Sequence, residues 1–219
     1  MTKGQDIALV TGASRGLGAA MAEALAARGA HVIALARTVG GLEELDDRIQ
    51  AAGGSATLAP MDITQDEALA HLCASVFARW GRLDWLVHCA IHAPPMAPAA
   101  HIDAKDWARS IEVNLRATGR LVAMTAPLLA ASLSGRALFF ADTGRAGAAH
   151  FGAYGASKAA QEALVRSWQA ESAHTGPAVH LLAPRPMATA LRARFHPGED
   201  RRPLATPQDE AQRLLAKLA

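Results

Sequence analysis

The run Thr11-Gly12-Ala13-Ser14-Arg15-Gly16-Leu17-Gly18 lies between an apolar stretch, Ile7 to Val10, and an apolar stripe of helical spacing at Leu17, Ala20, Met21, Ala24 and Leu25. A strand that passes through three glycines straight into a helix admits few folds. The glycines let the backbone turn tightly and approach a neighbour closely, and the first turn of the helix presents unpaired N–H groups at the positive end of its dipole. Together they make a cradle for a phosphate anion. The alternation continues along the chain. Strand-like runs at Val32 to Ala36, Thr57 to Met61, Leu83 to Ala90, Ala137 to Ala141 and Val179 to Ala183 are separated by helical stripes such as Leu42, Leu45, Ile49 and Leu69, Leu72, Cys73, Val76. Continuous apolar strands imply burial on both faces, hence a parallel sheet with right-handed crossovers. The expected fold is α/β, a single doubly wound parallel sheet with helices on both faces, with residues 1–219 forming one dinucleotide-binding domain.

Longer helices are expected around Asp106 to Ala130 and Ala153 to His174, and a final one near Pro207 to Leu218. The first two are alanine-rich and apolar on more than one face, which predicts packing against the sheet on one side and a second subunit on the other, a homodimer. With 51% hydrophobic and 19% charged residues the chain carries enough apolar material for such a core, and disorder is excluded. Its net charge of +2 comes from 22 basic and 20 acidic residues scattered together, so no basic face marks a nucleic-acid partner. Cys73 and Cys89 form neither a CxxC pair nor a metal-ligand spacing, and His88, Cys89 and His92 lack a supporting ligand cluster, so no metal is expected. The start has no long apolar run with a cleavage site and no segment approaches a membrane span, which predicts a cytoplasmic protein with no membrane partner.

The second strand ends Leu35-Ala36-Arg37, with no carboxylate to receive a ribose 2′-hydroxyl. Arg37 suits a 2′-phosphate instead, and Arg15 flanks the same position from within the glycine turn, so the pair points to NADPH rather than NADH. Asp62, at the end of the third strand, suits either a cap of the next helix or the adenine amino group. Farther on, Tyr154-Gly155-Ala156-Ser157-Lys158 puts a phenol and an ammonium four residues apart on one helical face. A free phenol of pKa about 10 is only about 0.1% ionised at pH 7, so a tyrosine acid/base needs a cation that favours phenolate.

With these motifs in this order the chain resembles the short-chain dehydrogenase/reductase family over almost its whole length: TGxxxGxG at Thr11 to Gly18, an adenine-pocket acid at Asp62, the active-site asparagine at Asn114 and YxxxK at Tyr154 to Lys158. The resemblance implies a Rossmann fold. It implies a cofactor site formed by Gly12, Ser14, Arg15, Gly16, Leu17, Gly18, Arg37, Asp62, Ile63, Cys89, Ala90, Tyr154, Lys158, Pro184 and Thr189. In that site Tyr154 exchanges the proton, Lys158 holds the nicotinamide ribose and lowers the phenol pKa, and Asn114 anchors a relay water. Thr189 corresponds to the threonine that touches the carboxamide.

Three segments depart from the family pattern. Its serine, 13 residues before the tyrosine, is replaced by Ala141 in Phe140-Ala141-Asp142-Thr143-Gly144. On an extended strand Thr143 shares the side of Ala141 while Asp142 points away, which makes Thr143 the better stand-in; a carboxylate turned toward the tyrosine would raise the phenol pKa. If nothing replaces the hydroxyl, about 10²- to 10³-fold in rate is lost. His88-Cys89-Ala90-Ile91 stands for Asn-Asn-Ala-Gly, with a branched side chain where glycine admits the cofactor. Pro184-Arg185-Pro186 stands for Pro-Gly, and Arg185 there suits narrowing of the site, an anionic substrate or the cofactor phosphates. After the final helix near Pro207 to Leu218 the last strand that closes many family sheets is not expected. These features predict an NADPH-dependent oxidoreductase acting on a small ketone, aldehyde or alcohol, with an NADPH-binding sensor or partner subunit of little catalysis as the alternative.

Overall fold

A computed structural model of the chain describes residues 4–142 and 144–218. The runs IALVT and HVIALA form β1 (Ile7–Thr11) and β2 (His31–Ala36), buried at every position as strands covered on both faces must be. With β3 (Ser55–Pro60), β4 (Trp85–His88), β5 (Arg136–Phe140) and β6 (Ala178–Leu182) they make one parallel sheet in the order β3-β2-β1-β4-β5-β6. Each of the six overlaps its expected apolar run, with β3 starting two residues earlier. The strand order reverses between β1 and β4, which pair with Thr11 opposite His88. A crevice opens at such a switch point, beyond the carboxyl ends of the strands.

The helices are α1 (Gly16–Ala26), α2 (Val39–Ala51), α3 (Asp66–Trp80), α4 (Ala104–Ile111), α5 (Ala117–Ala130), α6 (Gly152–Glu171), α7 (Ala190–Phe195) and α8 (Pro207–Ala216). On one face of the sheet Met21, Leu25, Leu42, Leu45 and Leu214 from α1, α2 and α8 pack on Ala8, Val10 and Val32. On the other, Leu69, Val76, Leu121, Val165 and Trp168 from α3, α5 and α6 pack on Leu9, Ile33 and Phe139. Successive strand side chains alternate between these layers, so every strand feeds both cores. This is the doubly wound Rossmann architecture.

Two elements differ from expectation. The helix expected over Asp106 to Ala130 starts at Ala104 and is interrupted by a π-helical turn, Glu112–Arg116, which contains Asn114. The Asn114 side chain accepts from His92 N and donates to His92 O, and the pair helps hold this turn, a kind of insertion common at functional sites. The short helix α7 was not signalled by periodicity at all. Thr189 caps it by accepting from Arg192 N, and its last residue, Phe195, is buried against Tyr154. Among the described residues no helix is long and apolar enough to cross a membrane.

Candidate active site

The glycine turn closes because two of its glycines stand where no side chain fits. A Cβ on Gly12, whose φ is +66°, would lie 2.7 Å from Ala90 N, and one on Gly18 would lie 2.2 Å from Gly12 O. Thr11 Oγ1 accepts from Cys89 N and Ala90 N at 3.2 Å each, stitching the turn to the end of β4. A Cβ on Gly16 would lie 3.6 Å from the Thr189 side chain, so the Thr189 loop lies beside the turn. Arg15 stands at the N-cap of α1 in extended conformation without a side-chain cap, and the first helical turn has no acid. Its N–H groups therefore face an open anion position. Arg15 and Arg37 are exposed, and among the described residues neither side chain has a hydrogen-bond or ion-pair partner. The cradle and two unclaimed guanidiniums fit a phosphorylated dinucleotide. Ser14 packs on Gly41, Leu17 against the first core, and Ile63 is buried in the second. Pro184 is half-buried in the loop after β6.

Asp62 does not cap α3, the first of its two expected roles. Its Oδ1 accepts from Thr64 N at 3.0 Å and Thr64 Oγ1 at 2.8 Å, closing a turn before α3, while Oδ2 accepts from Arg109 Nη2 at 2.7 Å. The cap position of α3 belongs to Gln65. Burial works against the charge, but the Arg109 and Thr64 bonds win and hold the carboxyl below its ordinary range.

Tyr154 and Lys158 sit on the first turns of α6, both buried, at 3% and 6% exposure. The surroundings of the phenol correct two expectations. Asp142 does not point away: Tyr154 Oη donates to Asp142 Oδ2 at 2.8 Å. β5 ends at Phe140, and beyond the single bond from Ala141 N to Leu182 O the chain leaves the strand, so strand alternation no longer governs Asp142. Thr143, the expected stand-in for the serine, lies outside the described residues. Nor does the phenol titrate low. Burial first, then the Asp142 charge and hydrogen bond, push it above its ordinary value, with Glu162 adding to the rise and Arg145 alone opposing it. Arg145 Nε lies 3.5 Å from Asp142 Oδ1, and Glu162 Oε1 accepts from Asp142 N at 3.1 Å.

Lys158 Nζ donates to Phe140 O and, at 2.6 Å, to Gln161 Oε1. Burial lowers its pKa to about 8 against the pull of Glu162 and Asp142, so it remains largely an ammonium at neutral pH. Gln161 Nε2 in turn donates to Asn114 O and Thr118 Oγ1, both at 2.9 Å. Thr118 Oγ1 donates to Asn114 O at 2.8 Å, which makes His88 Nε2 the donor in its 3.0 Å contact with Thr118 and leaves His88 Nδ1 to accept from Thr11 Oγ1 at 2.8 Å. One chain of hydrogen bonds thus runs from the glycine turn to Lys158. Burial, helped by Lys158, drops the His88 pKa to about 3 and keeps the ring neutral. Asn114 Nδ2 also donates to Ser157 Oγ at 2.9 Å. Gln161 and Thr118 were not expected here; the signal for Gln161 was its position three residues after Lys158 on the same helical face.

Arg185 has a partner within the protein: its backbone N and Nε donate to the buried Glu210 of α8 at 2.8 and 2.7 Å, a carboxylate also bound by Arg213. The sequence pattern held no sign of a partner 25 residues ahead. Ile91 packs against the cluster of Phe151, Tyr154 and Phe195. Beside Tyr154 a cleft of about 180 Å³ opens between Pro94, Met96, Ile102, Phe151 and Phe195, large enough for a small, mainly apolar molecule. Cys89 lies at the inner end of the turn, where burial pushes its thiol up and keeps it protonated.

An anion cradle thus lies at a topological switch point, joined by buried hydrogen bonds to Lys158, which stands one turn from Tyr154 on α6. The short chain dehydrogenase family model matches residues 6–200, and the chain belongs to the short-chain dehydrogenase/reductase family. A fatty acyl-CoA reductase of Acinetobacter baylyi is 35% identical over 167 residues, 75% of this chain. The chain spans 57% of that relative's length. A short chain dehydrogenase from Pseudomonas syringae superimposes with a TM-score of 0.88 at 36% identity, covering 94% of this chain and 85% of its own. One from Escherichia coli, solved with NADPH, gives 0.85 at 32% identity over 93% and 86%.

Proposed function

We propose that this chain is an NADPH-dependent oxidoreductase that interconverts a small ketone or aldehyde with its alcohol. The observation that carries this reading is the unbroken hydrogen-bond chain from Thr11 through His88, Thr118 and Gln161 to Lys158, which couples the anion cradle to the lysine one turn along α6 from Tyr154. Bound cofactor supplies or accepts the hydride. The N–H groups of α1 and the glycine turn hold the pyrophosphate, Arg15 and Arg37 hold the 2′-phosphate, and Lys158 places a cation on the floor of the site. Tyr154 exchanges the proton at the substrate oxygen, and the apolar cleft beside it admits the carbon skeleton while excluding water. The structural neighbour from Escherichia coli solved with NADPH supports the choice of cofactor. The reading extends to a cytoplasmic homodimer built on the long alanine-rich helices, which a monomer mass in light scattering would refute.

The experiment is to follow NADPH consumption over a panel of ketones and aldehydes with the parent and with Tyr154→Phe. The parent is expected to turn over at least one member and the variant to lose about 10²- to 10⁴-fold. A second reading, an NADPH-binding sensor or partner subunit, is favoured by one observation: the polar atoms of Tyr154 and Lys158 are already satisfied inside the protein. Tight NADPH binding with an inert panel selects it.

A further inference from the structure

We propose that Asp142, through Tyr154 Oη, carries the reaction's proton between substrate and solvent, replacing a route past Lys158 and Asn114 that Gln161 closes. This rests on the reading of Tyr154 as the proton-exchanging group. Two independent contacts lead to it. The Asn114 carbonyl has two acceptor positions, and Gln161 Nε2 at 2.9 Å and Thr118 Oγ1 at 2.8 Å take both. A relay water has no place on that oxygen. Gln161, itself 3% exposed, bridges directly to Lys158 Nζ at 2.6 Å. A carboxamide fixes the ammonium but neither gains nor loses a proton near neutral pH, so this bridge positions Lys158 without conducting.

On the other side of the phenol, Asp142 Oδ2 accepts the Tyr154 hydroxyl at 2.8 Å, and the Asp142 side chain is 32% exposed, open to water where Lys158 is not. The charged groups acting on this pair are Arg145 and Arg192, Lys158, and Glu162, which also holds Asp142 N. In alcohol oxidation the substrate O–H bond breaks and its proton passes to Tyr154 Oη as the phenolic O–H bond breaks and its proton passes to Asp142 Oδ2. The carbinol C–H electron pair leaves as hydride to oxidised cofactor, which is reduced, and the C=O bond forms. The Asp142 carboxyl then releases its proton to water. Reduction is the reverse, with a protonated Asp142 donating to Oη. No phenolate forms at any point, so a phenol that resists ionisation is no obstacle.

Tyr154 is the chain's single tyrosine, so phenolate absorbance reports on it alone. Asp142→Asn is expected to ionise at lower pH than the parent in an absorbance titration that needs no cofactor; an unchanged midpoint overturns the contact on which the relay depends. With NADP⁺ and a panel of secondary alcohols, the parent rate against deuterium content of the solvent is expected to curve, two protons being in flight, and a straight line overturns the relay without any variant. Asp142→Asn should lower kcat about 10²-fold with little change in KM, and Asp142→Glu should restore most of the loss. Gln161→Ala in the Asp142→Asn background should recover part of that loss by admitting water beside Asn114. Parent-like turnover in Asp142→Asn alongside an inactive Tyr154→Phe overturns the relay and leaves the tyrosine reading standing. A fully active Tyr154→Phe, or a panel on which nothing is turned over, removes both.

Discussion

At His88 the sequence places an imidazole where the family carries an asparagine, and the structure shows what that exchange costs in acid. The ring is fully enclosed between Thr11 and Thr118, with each nitrogen bonded to one hydroxyl, and burial lowers its pKa from 6.5 to about 3. A folded-state value below the unfolded one means that the unfolded chain takes up a proton first. The contribution of neutral His88 is therefore complete above pH 6.5 and is lost as the pH falls from there toward 3. Chemical denaturation across that window should show stability falling with a slope near 1.4 kcal/mol per pH unit from this group, and His88→Asn should flatten it. Residue by residue, the motif positions Gly12, Gly18, Asn114, Tyr154 and Lys158 were legible because each needs a particular chemistry at a particular spacing. Asp142 was misread because the two-residue alternation was carried past Phe140, where the strand ends. Gln161 was passed over because a single amide in an alanine-rich helix looks the same whether it meets water or a buried lysine.

Among the elements, α8 shows how a loop near the site is fixed from a distance. Glu210, with no exposed surface, gathers Arg185 from the loop after β6 and Arg213 from its own helix, and Leu214 and Leu215 of that helix lie in the core that α1 shares. Those partners outweigh burial and depress the Glu210 pKa from 4.5 to about 2. The bond network is complete above pH 4.5 and fails as the pH drops toward 2. Glu210→Ala removes the shared partner of Arg185 and Arg213, which both reach solvent, and should cost about 1.5–3 kcal/mol in urea unfolding at neutral pH; a loss under 0.5 kcal/mol would mean that the carboxylate anchors nothing. The strands were legible because runs buried on both faces have little choice of residue. The π turn at Glu112–Arg116 and α7 were not, because one rests on side-chain bonds to His92 and the other on Phe195 meeting Tyr154, contacts made by segments remote in sequence.

For the whole molecule, the sheet order brings the glycine turn, Arg37 at the end of β2 and the α6 pair to the carboxyl edge of one sheet, so cofactor choice and chemistry are separable properties of one crevice. Calorimetry should find NADPH bound more tightly than NADH, and Arg37→Ala should weaken NADPH by about 1.5–3 kcal/mol while leaving NADH nearly unchanged. Equal affinities in the parent would remove the 2′-phosphate role of Arg15 and Arg37. Whether the crevice performs redox chemistry is decided by the hydride itself. The parent, given NADPH carrying deuterium at the transferable position and a carbonyl panel, is predicted to deliver the label to the carbinol carbon of at least one product, and Tyr154→Phe to deliver almost none. No labelled product from the parent, or equal labelling by both proteins, would contradict an oxidoreductase centred on Tyr154.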